Sequence, residues 1–186
     1  MRQVGEADRA FDLLAPLVQV LQDRGLIQDS LHFLVEAGEP TALHPSRQAW
    51  VHTFLGDAFS AYGDLRRALD AYHASLAIAE RLAAADPSNA TWQRDVFVSH
   101  AKLGRIEQLR QNAIQADLHL ERAETIIRQL LGRDPANLRW QQDLAWARTA
   151  AGSVIEDSAA RHASVALPRS LGQPSSILIE PAKSLI

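Results

Sequence analysis

The sequence predicts an all-α chain of antiparallel helix pairs that repeat along its length, and three observations carry that expectation. The segment Asp86-Pro87-Ser88-Asn89-Ala90-Thr91-Trp92-Gln93-Arg94-Asp95 returns 48 residues later as Asp134-Pro135-Ala136-Asn137-Leu138-Arg139-Trp140-Gln141-Gln142-Asp143. Between these boundaries apolar residues recur at helical spacing. Leu65, Leu69, Tyr72, Leu76 and Ala79 form one stripe, and Ala116, Leu120, Ala123, Ile127 and Leu130 form its counterpart. Nothing reads as a strand except Ile177-Leu178-Ile179, which lies between Pro174 and Pro181.

In chain order, residues 1–44 read as a partial unit followed by a connecting helix. Gly5-Glu6-Ala7-Asp8-Arg9-Ala10-Phe11 parallels Gly63-Asp64-Leu65-Arg66-Arg67-Ala68-Leu69, so the chain is expected to enter at the second helix of a pair, with a kink at Pro16. Residues 26–39 follow as a helix that stops at Gly38-Glu39-Pro40. Complete units are expected over 45–157, opening with a shortened boundary, Pro45-Ser46-Arg47-Gln48-Ala49-Trp50. Each unit breaks once inside, at Gly63-Asp64 and at Gln111-Asn112, where Asn112 is expected to take the left-handed conformation. Each closes at an Asp-Pro pair, because the residue before proline avoids the helical region. Gly56 with Ala68, and Gly104 with Ala116, are placed to face one another across each helix pair and let the axes approach. A last first-helix begins near Trp140. Residues 158–186 are expected to form a flexible tail, or to fold Ile177, Leu178 and Ile179 back as a cap on the last helix.

These residues resemble the tetratricopeptide repeat. Leu55-Gly56, Phe59, Gly63, Ala68 and Tyr72 follow that family's pattern in one unit, and Leu103-Gly104, Ala116, Leu120 and Ala123 follow it in the next. The spacing departs from the family's usual 34 residues or so, which is similar to the long-helix variety found in large bacterial multidomain proteins. The resemblance implies a short right-handed α-solenoid whose first helices line a concave wall, and a role as a protein-interaction scaffold.

Composition narrows the function. The chain has 186 residues, 47% of them hydrophobic, a formal charge of −3 and no Cys, so thiolate metal sites and disulfides are excluded and the overall charge opposes nucleic-acid binding. The start of the chain lacks the basic and then apolar pattern of an export signal, and no apolar run approaches the roughly 20 residues of a membrane span, so the cytoplasm is the expected location. His32, His44, His52, His73, His100, His119 and His162 show no tight ligand spacing, and phosphate loops and nucleophile elbows are absent. No catalytic, cofactor or metal role is expected.

By family analogy the concave wall would comprise Trp50, Thr53, Asp57 and Ser60, then Val98, Ala101, Arg105 and Gln108, then Trp146, Thr149 and Ser153. Its expected partner is a protein or peptide, extended or helical. Asp57 and Arg105 either orient a polar ligand or pair with each other in solvent. Thr53, Asp57, Ala101 and Arg105 do not reproduce the basic and Asn residues with which family members clamp a terminal carboxylate. Trp50, Trp92 and Trp140 recur with the structural period and are expected between repeats. The alternative is an architectural segment that self-associates through its incomplete first unit, as a homo-oligomer.

Overall fold

A computed structural model describes residues 43–150 continuously, together with residues 11–13, 15–18, 20–21, 24–26, 29 and 32. Four complete helices form the described body, α1 (Pro45–Tyr62), α2 (Leu65–Ala85), α3 (Ala90–Leu109) and α4 (Ala113–Arg133). Residues 138–150 are helical as well, as are residues 11–13, 15–18, 20 and 21, which include Pro16. There is no strand among the described residues. The expected tail, its cap alternative, Ser153 and most of 26–39 lie outside the described residues.

Local chemistry sets each boundary. Pro45 opens α1, where its missing N–H costs nothing, and Gly63 closes it at φ 87°. Asp64 then caps α2 by accepting from the Arg67 N–H at 3.0 Å. Asn89 accepts from the backbone of Thr91 and Trp92 to start α3, and Asn137 repeats that cap on Trp140, at 3.2 Å. Asp86 and Asp134 end α2 and α4, each ahead of proline.

The turn between α3 and α4 differs from expectation. Gln111, at φ 61°, occupies the left-handed position that Gly63 holds one unit earlier, whereas Asn112 is the N-cap of α4 at φ −96°. Because Arg110 ends α3, the residue that must reverse the chain is the next one, and its identity is secondary to the cap geometry. Asn112 forms no side-chain cap bond, unlike Asp64.

Consecutive helices pack in chain order, α1 on α2, α2 on α3 and α3 on α4, and Trp140, Leu144 and Ala147 continue the series against Phe97, Ile127 and Leu130. The predicted stripes are the core. Tyr72, Leu76 and Ala79 are buried with Val96, Leu103 and Ile106, and Ala116, Leu120, Ala123, Ile127 and Leu130 are all at most 2% exposed. Trp92 and Trp140 pack half-buried against successive clusters, while Trp50 stacks on Phe54 at 3.7 Å and meets Phe11 edge-on at 4.7 Å.

At both glycines the nearest atoms belong to the residue four positions beyond the expected alanine. A Cβ on Gly56 would lie within 2.8 Å of three ring carbons of Tyr72, and one on Gly104 would lie 2.8 Å from Leu120 Cγ and Cδ2. The Ala116 carbonyl is next at 3.4 Å, so Gly104 does lie against Ala116 as expected, while the larger residue four positions on fills most of the space each glycine leaves. No helix among the described residues is long and apolar enough to cross a membrane.

Candidate functional site

Two adjoining cavities lie along α3, one against residues 138–150 and the other against α1 and α2. The larger, about 260 Å3, is lined by Phe97, Val98, Ala101, Lys102 and Arg105 of α3 and by Asp143 and Trp146. The smaller, about 50 Å3, is lined by Ser46, Ala49, Trp50 and Thr53 of α1, Ser75 of α2, and Asp95 and Val98 of α3. Val98 belongs to both. Turn spacing on α3 produces this arrangement, since Asp95, Val98, Ala101 and Arg105 recur at intervals of three or four residues and share a face, with Lys102 beside Ala101 at its edge.

Of the predicted wall, Val98, Ala101, Arg105 and Trp146 converge on the larger cavity, and Trp50, Thr53 and Val98 on the smaller. Trp146 is 40% exposed, and Arg105 is exposed with no hydrogen-bond or ion-pair partner among the described residues. Asp57 is engaged elsewhere. Its Oδ1 accepts from the Tyr72 hydroxyl and from Lys102 Nζ, both at 2.6 Å, so it pairs with Lys102 and not with Arg105. The Tyr72 hydroxyl is held well above its ordinary pKa by burial first, then by the Asp57 charge and hydrogen bond. Gln108 Nε2 donates to the Ala150 carbonyl at 2.9 Å, Thr149 donates back to Ala145 at 3.0 Å, and Ser60 is half-buried.

Phe97, Lys102 and Asp143 on the larger cavity, and Ser46, Ala49, Ser75 and Asp95 on the smaller, were not expected there. The available signal was the repeat itself, because Asp95 and Asp143 hold the same position in successive units. Arg94 grips Asp143 with two bonds, 2.8 Å from Nε and 3.1 Å from Nη2, which ties α3 to residues 138–150.

Three histidines that the sequence scatters come together on α2, α3 and α4. His100 Nδ1 lies 3.0 Å from His119 Nδ1, and the His73 ring is centred 6.0 Å from that of His119. Among the described residues no group of three or more His, Asp or Glu side chains is arranged to hold a metal ion. Burial, followed by the neighbouring His119, Arg122 and His73, lowers His100 to about 4; burial and His73 also lower His119, against the opposing pull of Glu107. Both rings are therefore neutral in the fold where unfolded histidine is already charging. Stability from this pair is complete above pH 6.5 and is lost as pH falls toward about 4. Urea titrations over that range are expected to show a loss on the order of 1 kcal/mol for His100, discounted for a ring that stays partly hydrated. His100→Gln should flatten the slope, and an unchanged slope would contradict the assignment.

No protein-family model matches the chain. No curated protein matches it either. Among solved structures it is similar to the crystal structure of BtubC (BKLC) from P. vanneervenii, at 17% identity and a TM-score of 0.31, with 97% of this chain and 98% of that one covered. At that score the similarity carries no argument about fold or function.

Proposed function

We propose that the chain is a protein-interaction module, its helix pairs stacked as a short right-handed α-solenoid of the tetratricopeptide type, which binds a peptide or partner helix along the wall of its first helices. The observation that carries this reading is the larger cavity, where Val98, Ala101, Phe97 and a half-exposed Trp146 offer apolar contact beside the unpaired Arg105. Apolar pockets with a few converging polar groups are the usual form of a recognition site. A peptide library displayed and selected against the chain tests it. Selected peptides are expected to lose about tenfold or more in affinity to Val98→Trp, which fills the wall, with the helical circular dichroism unchanged. Equal binding to native chain and variant would place recognition elsewhere and overturn the reading.

A second reading, self-association, is favoured by one feature of the amino-terminal helix. Phe11 and Val18 are buried against α1, yet Leu13, Leu17 and Val20 form a second stripe at helical spacing, 81%, 40% and 46% exposed. Sedimentation that reports a monomer at all concentrations would remove it.

A further inference from the structure

Asp95 and Asp143 occupy equivalent positions in successive units but have different surroundings. Asp143 receives a guanidinium from Arg94 of the preceding unit, in the two-bond geometry typical of arginine and carboxylate. Forty-eight residues before Arg94 stands Ser46, whose short hydroxyl lies 2.8 Å from His44 Nδ1. Nothing replaces the arginine. Asp95 is half-buried on the smaller cavity, and its carboxylate has no hydrogen-bond or ion-pair partner among the described residues. Burial raises its pKa above the ordinary carboxylate range, while Arg94 and Arg139 oppose this through space without bonding to it.

The other walls of the cavity favour the same kind of guest. Thr53 and Ser75 lie 2.9 Å apart, each has the Ala49 carbonyl at 3.0 Å, Ser75 lies 3.3 Å from Ser99, and Ser99 donates to the Asp95 carbonyl at 3.0 Å. Every proton of this ladder thus has an acceptor inside the fold, and whichever of Thr53 and Ser75 donates to the other, at least one lone pair of Thr53 remains for a donor arriving from the groove. Trp50, also on the cavity, adds apolar surface for the aliphatic stem of such a guest, its ring being stacked on Phe54 and met edge-on by Phe11.

We propose that this cavity recognises the guanidinium of an arginine on the bound peptide, which takes at Asp95 the place that Arg94 takes at Asp143. The inference rests on the groove reading above and names its partner's chemistry. Because Val98 lines both this cavity and the larger apolar one, the two adjoin, and alternate side chains of an extended peptide, about 7 Å apart on one face, suit the pair. The partner is therefore a segment that carries arginine two positions from a leucine-sized side chain.

The test uses the full chain and two terminally blocked, fluorescein-labelled peptides, Ala-Ala-Arg-Ala-Leu-Ala-Ala and its reverse, each also made with citrulline, the neutral isostere of arginine. In at least one chain direction the arginine peptide is expected to bind about tenfold more tightly than its citrulline counterpart, with the difference shrinking in high salt. Asp95→Asn should abolish the difference. Ser46→Arg should do so too, because it supplies from within the chain the cation that the peptide otherwise brings. Equal affinity for arginine and citrulline on the native chain, persistence of the preference in Asp95→Asn, or no binding of either direction at about 1 mM would each overturn the proposal. If Val98→Trp still removes binding when arginine and citrulline are equivalent, the groove reading stands and only the arginine site fails. If neither Val98→Trp nor Asp95→Asn alters binding, both fail.

Discussion

Gly104→Leu is expected to destabilise the chain by about 1 to 3 kcal/mol, seen as a lower urea midpoint with an unchanged denaturant slope. The first added carbon would already stand 2.8 Å from Leu120 Cγ and Cδ2, inside van der Waals contact, and three further carbons have to be placed beyond it. Leu120 is fully buried and has no room to retreat without moving α3 away from α4. Leu120→Ala in the same chain should restore part of the loss, because the two sites share one volume and their effects are not additive. A silent Gly104→Leu would mean that the two helices do not approach at this residue.

Asp57→Ala should cost about 1 to 3 kcal/mol, mainly because it strands the Tyr72 hydroxyl in the core. Tyr72 is 2% exposed and donates to Asp57 Oδ1, which also receives Lys102 Nζ, so one carboxylate joins α1, α2 and α3. Half-burial makes this pair more consequential than the exposed Arg66–Asp70 pair, which solvent screens. A double-mutant cycle with Tyr72→Phe measures the contribution. Tyr72→Phe removes the stranded donor, so Asp57→Ala should cost less in that background than in the native chain. Identical costs in both backgrounds would deny the hydrogen bond any energetic role.

Helix boundaries were legible because their chemistry is local. Pro45, Gly63, Asp64, Asn89, Pro87 and Pro135 act on backbone groups within a few residues of themselves, and the apolar stripes recur in the phase that burial requires. Gln111 escaped this logic because a left-handed residue follows from where α3 ends, and no glycine marks it. The meeting of His73, His100 and His119 was hidden for another reason: their separations in sequence are unrelated, and only the packing of three helices brings them together. One member of that cluster had a visible trace, since His100 stands 48 residues after His52, a position where burial again lowers a histidine pKa. On the wall, the predicted Val98, Ala101, Arg105 and Trp146 do converge. The distinct situation of Asp95 was not legible, because it depends on Arg94 reaching forward to Asp143 and on Ser46 being unable to make the equivalent reach.

The turns at Gly63-Asp64, Asp86-Pro87 and Gln111-Asn112 separate helices whose main contacts are with their immediate successors. Among the described residues, ties that skip a helix are side-chain bonds such as Lys102 on Asp57 and Arg94 on Asp143. On the proposed solenoid reading, tension breaks those bonds and then peels the chain apart hairpin by hairpin, each release lengthening the tether while the neighbours stay folded, like a spring with discrete steps.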